Sequence, residues 1–158
     1  MIKLNIGSGW NKRKGFLNID IAKEVKPDMI LNIENGLPFK DNSVSEIYSE
    51  HCLEHVRPEK WKFVINEMIR ISTNGCLWHF KLPYDNSNSR CNIDHYRTFN
   101  YYSFSNFETG MSNKDRSYYF KQKMFLDRLN KQNIWITRFY TIFPYLKYEI
   151  EFKYHVRK

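Results

Sequence analysis

The stretch Leu4-Asn5-Ile6-Gly7-Ser8-Gly9, together with Phe16-Leu17-Asn18-Ile19-Asp20 a few residues later, decides the fold of this chain. Each half contains a short apolar run of the kind that forms a buried strand, and the first run ends in a tight turn. Glycines directly after a strand let a ligand approach the backbone, because a Cβ atom would clash with it. The acid that ends the second run can accept both hydrogen bonds of a ribose diol. The unit therefore predicts a ribose-binding corner in a parallel sheet; a plain turn with Asp20 as its cap is the alternative.

The spacing within this unit argues against a dinucleotide cofactor. A site for NAD or FAD needs three glycines (GxGxxG) that open a helix, with the acid roughly 20 residues further on. Here the third glycine is missing, and Asp20 follows Gly9 by only 11 positions. That leaves little room for a helix whose N-terminus binds a pyrophosphate. S-adenosylmethionine has a ribose but no phosphate, so it tolerates this loss.

Further apolar runs predict the rest of a sheet. We expect buried strands at Ile2–Ile6, Phe16–Ile21, Met29–Ile33, Ser45–Ser49 and Cys76–Leu82. Pro58 opens an amphipathic helix that we expect to close at Asn74-Gly75. Alternation along Tyr148–Val156 predicts a half-exposed antiparallel strand. The predicted class is α/β: a Rossmann-like, mostly parallel sheet with helices on both faces, a shortened first crossover and an antiparallel C-terminal strand.

The order of the motifs resembles that of the class I S-adenosylmethionine-dependent methyltransferases. The resemblance covers roughly residues 2–105 and is carried by LNIGSG (4–9), GFLNID (15–20), ILNIENGLPFKDNSVSEI (30–47) and HCLEH (51–55). These segments are similar to small methyltransferase-domain proteins with a GLPF-D-S … H-LEH signature. Asn32 and Ser45 stand where that family commonly has Asp.

The resemblance implies a cofactor, a reaction and a set of site residues. The implied cofactor is S-adenosyl-L-methionine, and the implied reaction is transfer of its methyl group to an oxygen or nitrogen of a small-molecule acceptor. The resemblance implies that Gly7, Ser8 and Gly9 contact the methionine part of the cofactor and that Asp20 contacts its ribose. It places Asn32 and Ile33 near the adenine, and Glu50 and His51 in the wall of the pocket.

The HxxEH spacing of His51–His55 is also that of a zinc-peptidase motif. A zinc hydrolase would place the motif inside an amphipathic helix and take a third ligand from a helix well downstream. Here it directly follows a short buried strand, so we expect no metal. In the family reading, Glu54 and His55 begin the next helix, where an acid favours the helix dipole.

A second polar cluster, Asp94-His95-Tyr96-Arg97, follows the fifth strand, within residues 84–116 that are expected to form a lid over the acceptor. His95 is a candidate general base that Asp94 or another carboxylate would orient, and Arg97 is a candidate to hold an anionic acceptor. His51 is the remaining candidate catalytic residue. The alternative is that His95 caps a helix at Tyr101–Phe107. Four tyrosines are candidates to wall the site against the cofactor's sulfonium: Tyr84, Tyr96, Tyr101 and Tyr102.

Positive charge is concentrated in the C-terminal third. Residues 1–110 carry 14 Lys and Arg against 13 Asp and Glu, whereas the last 48 residues carry 11 against 4. Such a field favours an anionic acceptor such as a sugar derivative. It leaves open nucleic-acid binding by the basic, aromatic-rich residues 118–158, non-catalytic binding of a nucleotide-like ligand, and a merely solvated basic face.

Composition bounds the compartment and the number of domains. No apolar run approaches the ~20 residues that a membrane-spanning helix needs. The three cysteines are widely spaced and form no CxxC pair, and the first residues run into a strand without a leader. We expect a cytoplasmic protein in which residues 1–158 form one domain.

Overall fold

The computed structural model of the chain describes residues 1–85, 90–100, 102–104, 125–128 and 149–157, with the backbone alone for 125–128. Its strands are β1 (Ile2–Ile6), β2 (Leu17–Asp20), β3 (Met29–Ile30), β4 (Val44–Glu50), β5 (Ser72–Pro83), β6 (Phe125–Arg128) and β7 (Glu149–Arg157). Helix α1 spans Pro58–Ile71, and short 3-10 turns lie at Lys23–Val25, Ile33–Asn35 and Leu53–His55.

The described strands form a seven-stranded sheet in the order β3-β2-β1-β4-β5-β7-β6. Strands β1 to β5 pair in parallel, whereas β7 is antiparallel to both β5 and β6. The chain moves outward from β1 to β2 and β3 and then returns to the other side of β1 as β4. Ligands bind open α/β sheets at such a reversal, outside the carboxyl ends of the strands. The predicted mostly parallel, Rossmann-like sheet with an antiparallel C-terminal strand is confirmed.

One face of the sheet is apolar because residues along each strand alternate between the two faces. Trp78 and Phe80 on β5 are fully buried and pair with Tyr154 and Phe152 on β7. Helix α1 contributes its buried residues to the same core: Val64, Ile65, Met68, Ile69 and Ile71. None of the described helices combines the length and the apolar character that crossing a bilayer requires.

The opposite face of the sheet is polar. His79 Nε2 on β5 lies 2.6 Å from Glu151 Oε1 on β7. The Arg13 guanidinium lies 3.8 Å from the centre of the Tyr48 ring on β4. Arg13 belongs to the connection between β1 and β2, which contains no helix, as the short spacing predicted. Of the described residues outside α1, Arg90 alone is α-helical, so the predicted helix layer on this second face has no counterpart among them.

Several element boundaries differ from the prediction. Strand β3 is shorter than predicted because the chain turns at Ile33–Asn35. Helix α1 ends at Ile71 and not at Asn74-Gly75, because those residues already belong to β5. Leu53–His55 form a separate 3-10 turn and do not start the helix, which begins only at Pro58.

The described part of the predicted lid is anchored in the core. Phe99 and Phe104 are both buried, and the Phe99 backbone N–H donates a hydrogen bond to the Pro83 carbonyl at 3.1 Å. Tyr102–Phe104 form a turn, whereas the other residues of the predicted helix Tyr101–Phe107 lie outside the described residues. Most of the basic residues 118–158 also lie outside the described residues.

The N-terminus of α1 is anchored by the carboxylate of Glu34. Its Oε1 accepts a hydrogen bond from the backbone N–H of Arg57 at 2.8 Å, and its Oε2 accepts one from Arg57 Nε at 2.7 Å. Arg57 immediately precedes the helix, so the carboxylate lies near the positive end of the helix dipole. Burial acts to raise the pKa of Glu34, but the hydrogen bonds and the charge of Arg57 outweigh it, and the pKa is lowered.

Glu34→Gln should make the stability of the protein less dependent on pH. A carboxyl group with a lowered folded-state pKa stabilises the fold above its unfolded pKa of about 4.3, and this contribution is lost as the pH falls through the folded-state pKa. The Tm difference between wild type and Glu34→Gln should therefore be largest near neutral pH and shrink in acid. Glu59→Gln is the control: Glu59 also pairs with Arg57, at 3.6 Å, but its carboxylate is exposed and should contribute little to stability. A difference that is constant between pH 7 and pH 3 would contradict the assignment.

Met68→Ala should lower the free energy of unfolding by about 2–5 kcal/mol, because it leaves a cavity in the core. Met68 is fully buried, whereas Phe63 on the same helix is 42% exposed. Phe63→Ala should therefore lose less than about 1 kcal/mol. Urea denaturation of both variants measures the two values, and equal losses would show that α1 packs by a different face.

Candidate functional site

A cavity of about 500 Å³ lies at the reversal beside β1. Its walls come from the turn after β1, from Asp20 and Ile21, from residues 31–34, from the segment that follows β4, and from Tyr96. The volume falls in the range of small-molecule sites. The cavity lies where the strand order predicts a ligand.

The Asp20 carboxylate faces this cavity beside the glycine turn. Its Oδ2 accepts a hydrogen bond from the Gly9 N–H at 2.8 Å, and its Oδ1 accepts one from the Ala22 N–H at 2.9 Å. A carboxylate has about four lone-pair sites, so about two stay available to a ligand. Gly9 has φ +48°, and a Cβ at this position would meet open space. Two backbone groups therefore hold the Asp20 carboxylate at the wall of the cavity.

The structural reason for a glycine at position 7 differs from the predicted one. A Cβ at Gly7 would lie 2.4 Å from both Cβ and Sγ of Cys52, which follows β4. Gly7 lines the cavity, but its missing side chain makes room for Cys52 and not for a ligand. Burial raises the pKa of the Cys52 thiol to about 12, so it packs as a neutral group.

The other predicted cofactor contacts divide into two groups. Asn32 and Ile33 line the cavity, and Asn32 Oδ1 accepts a hydrogen bond from the Glu34 N–H at 2.9 Å. Ser8 is buried and does not line the cavity. Glu50 does not line it either, which corrects the prediction: its carboxylate accepts a hydrogen bond from the Tyr48 hydroxyl at 2.6 Å, on the polar face of the sheet.

Several cavity residues were not predicted as site residues, and the polar ones include Glu34, Cys52 and Arg57. The available signals were an acid directly after the third apolar run and a base directly before Pro58. Neither signal identifies its partner, because the Glu34–Arg57 pair joins two loops that are distant in sequence.

His51 lines the cavity but is not suited to accept a proton. Its Nδ1 lies 3.2 Å from Glu54 Oε1, and its Nε2 lies 3.0 Å from Glu149 Oε2 on β7. The hydrogen bonds to Glu54 and Glu149 outweigh burial and raise the pKa of His51 to about 9. Both ring nitrogens therefore donate hydrogen bonds at neutral pH, and a role as general base is disfavoured.

His95 has different partners from the predicted ones. Among the described residues, no hydrogen bond joins its ring to the Asp94 carboxylate. Its Nε2 lies 3.1 Å from Asn92 Nδ2 and 4.0 Å from Glu54 Oε1. Asp94 contributes its backbone carbonyl, which accepts a hydrogen bond from His55 Nδ1 at 2.8 Å. The predicted pairing with Asp94 is therefore corrected, and the carboxylate beside the His95 ring is that of Glu54.

The remaining residues that were predicted on the acceptor side mostly contact other parts of the protein. The Arg97 guanidinium lies 4.0 Å from the centre of the Trp61 ring, and burial lowers its pKa. Of the four tyrosines, Tyr96 lines the cavity and Tyr84 pairs with Phe99. Tyr102 is exposed, and Tyr101 lies outside the described residues.

Comparison with known proteins supports the fold. No protein-family model and no curated protein matches the chain. A solved SAM-dependent methyltransferase from Archaeoglobus fulgidus matches 98% of this chain and 86% of its own, with a TM-score of 0.62 and 12% identity. An S-adenosylmethionine-dependent methyltransferase from Mesorhizobium loti matches 52% of this chain, with a TM-score of 0.43 and 13% identity.

The lengths of these neighbours differ. The matched region spans 46% of the Mesorhizobium chain, and in three further neighbours it also spans less than half of the neighbour. The Archaeoglobus structure is matched over most of its length, and at 12% identity this match shows the fold. Together with the strand order, it confirms the predicted fold: the chain has the Rossmann-like fold that is found in class I S-adenosylmethionine-dependent methyltransferases.

Proposed function

We propose that the chain binds S-adenosylmethionine in this cavity and transfers the methyl group to an oxygen or nitrogen of a small-molecule acceptor. The observation that carries the proposal is the Asp20 carboxylate, which the Gly9 and Ala22 N–H groups hold towards the cavity. The whole-chain match to a methyltransferase fold supports it.

The described residues fit this cofactor in shape and in chemistry. The cavity of about 500 Å³ has the volume of a small-molecule site. The Cα of Gly9 faces open space, and Asp20 keeps lone pairs for ribose hydroxyls. The connection between β1 and β2 has no helix N-terminus for a pyrophosphate, which an adenosyl sulfonium does not possess.

Each part of the cofactor has residues that would hold it. Asp20 would accept hydrogen bonds from the ribose hydroxyls, and the Gly9 backbone would contact the methionine part. Asn32 and Ile33 would flank the adenine; the Asn32 Oδ1 is engaged by Glu34, which leaves the Nδ2 amide to donate to the ligand. When bound, the cofactor supplies an electrophilic methyl group on a sulfonium cation. The chain aligns the acceptor with this group and excludes water.

We propose an anionic acceptor such as a sugar derivative and a cytoplasmic location. The net charge of +8, concentrated in the last 48 residues, supports an anionic acceptor. Tyr96 lies at the cavity and is 55% exposed, so its ring is placed to contact an acceptor that enters there. The alternative of nucleic-acid binding depends on basic residues that mostly lie outside the described residues, and no structural observation favours it.

Asp20→Asn should weaken S-adenosylmethionine binding about 10- to 100-fold, because the variant loses a charged acceptor of hydrogen bonds. Titration calorimetry measures the affinity. Asp41→Asn is the matched control, since Asp41 is exposed and pairs with Arg70 away from the cavity. Equal affinity in Asp20→Asn and wild type would reject the site.

A mass-spectrometric assay for S-adenosylhomocysteine separates catalysis from binding alone. The chain is incubated with S-adenosylmethionine and a panel of phosphorylated sugars and other anionic metabolites. Product that depends on both the chain and an acceptor supports methyl transfer. Cofactor binding without product from any acceptor class would favour the non-catalytic ligand binder.

Gly7→Ala and Gly9→Ala should fail in different ways. Both have positive φ, which costs an alanine about 1–2 kcal/mol, and Gly7→Ala adds a clash with Cys52 worth about 1–3 kcal/mol. Gly7→Ala should therefore be the less stable variant in urea denaturation. Gly9→Ala should retain more stability but bind S-adenosylmethionine more weakly, because its Cβ enters the cavity. The opposite order of stabilities would contradict the described contact.

A further inference from the structure

Glu54, His55 and His95 bring three metal-binding side chains together beside the cavity. Their potential ligand atoms all lie within 4.8 Å of one another. The Nε2 atoms of His55 and His95 are each 4.0 Å from Glu54 Oε1. Glu54 is fully buried and His95 is nearly so, with 12% of its side chain exposed. His55 also lines the cavity, so the cluster borders the proposed cofactor site.

The neighbours of the two histidines fix the roles of their ring nitrogens. The Asp94 carbonyl can only accept a hydrogen bond, so His55 Nδ1 donates to it, and in the neutral imidazole the Nε2 that faces Glu54 keeps its lone pair. Asn92 Oδ1 accepts a hydrogen bond from the Asp94 N–H, which turns its Nδ2 amide towards His95 Nε2. That amide donates, so His95 Nε2 accepts its hydrogen bond, and an ion bound to Nε2 would displace this exposed amide. In His55 the other ring nitrogen is fixed by an acceptor, as is usual for histidines that bind metals.

The carboxylate of Glu54 has an unused oxygen. Its Oε2 is buried and has no hydrogen-bond partner among the described residues, whereas Oε1 accepts a hydrogen bond from His51. A buried carboxylate oxygen without a partner is destabilising. A cation between the carboxylate and the two Nε2 atoms would remove this defect. It would also account for the meeting of the turn at Leu53–His55 with residues 92–95.

We propose that Glu54, His55 and His95 bind a divalent transition-metal ion. Two imidazoles and one carboxylate are a donor set for Zn²⁺, Fe²⁺ or Mn²⁺ that leaves coordination positions open. Bonds of about 2.1 Å require donor atoms roughly 3–4 Å apart, so a small inward rotation of the rings suffices. His55 has 45% of its side chain exposed and is free to make it.

The sequence motif suggests a different pair of ligands. HxxEH spacing would join His51 to His55, but both ring nitrogens of His51 are engaged by Glu54 and Glu149. The second histidine of the ligand set is therefore His95, from a distant part of the chain, and not His51. The ion would bind an acceptor oxygen next to the cofactor; this role rests on the proposed methyl transfer, whereas binding of the ion does not.

The experiment uses the full chain without a polyhistidine tag, treated with a chelator and dialysed. Co²⁺ binding is followed by visible absorption, and Zn²⁺ binding by calorimetry. We expect one ion per chain in the wild type. His55→Ala and His95→Ala should each weaken binding about 100-fold or more. His155→Ala, an exposed histidine on β7, is the matched control and should bind as the wild type does. Circular dichroism verifies that each variant is folded.

Absence of Co²⁺ and Zn²⁺ binding to the wild type, or equal affinity in a folded His55→Ala variant, would overturn the metal site. Calorimetry of S-adenosylmethionine on the metal-free chain separates this proposal from the function. Metal binding without cofactor binding keeps the metal site and rejects the proposed function. Cofactor binding without metal binding does the reverse.

Discussion

The turn after β1 and the segment after β4 are held against each other by the contact of Gly7 with Cys52. The two strands are neighbours in the sheet, so their carboxyl ends already lie side by side. The missing side chain of Gly7 then lets Cys52 approach to a distance that no other residue would permit. Gly7 and Cys52 both line the cavity, so this contact forms part of its wall.

The short connection between β1 and β2 has consequences for a whole face of the sheet. Without a helix there, polar side chains cover the strands: Asn5 donates a buried hydrogen bond to Asn18 at 2.9 Å, and Arg13 lies over Tyr48. The side-chain oxygen of Asn18, Oδ1, also accepts a hydrogen bond from the Arg13 backbone N–H at 2.8 Å. Hydrogen bonds between side chains and backbone thus replace the apolar packing that a helix would provide. The same shortening removes the helix N-terminus that would favour a phosphate.

Glu54 connects the proposed cofactor site with the histidine cluster. Its backbone carbonyl accepts a hydrogen bond from the Tyr96 N–H at 2.9 Å, which ties residues 92–96 to the turn after β4. Its Oε1 atom lies 3.2 Å from His51 Nδ1 and 4.0 Å from the Nε2 atoms of His55 and His95. One buried acid therefore fixes both the orientation of His51 and the meeting of the two other rings. This explains why the loop residues near the cavity can be positioned without being part of a helix or strand.

Much of the fold follows from local patterns in the sequence. The apolar and alternating runs predicted six of the seven described strands, β1 to the residue, because a buried strand needs only a short apolar segment between turns. Strand β6 was not predicted. Proline at the first turn and a 3.6-residue period determined α1. The spacing from Gly9 to Asp20 determined that the first crossover has no helix, and it located the carboxylate that faces the cavity. These features depend on residues close together along the chain.

The tertiary structure alone decided which side chains meet. Gly7 makes room for Cys52, and His95 lies beside Glu54 and not beside the Asp94 carboxylate. Glu50 faces away from the cavity. Each of these arrangements depends on how separate parts of the chain pack together. A single sequence holds no record of such contacts, because they are set by how the sheet and its loops pack together. The sequence therefore determined the strands, the helix and the acid of the site, whereas packing between distant loops determined the partners of its histidines.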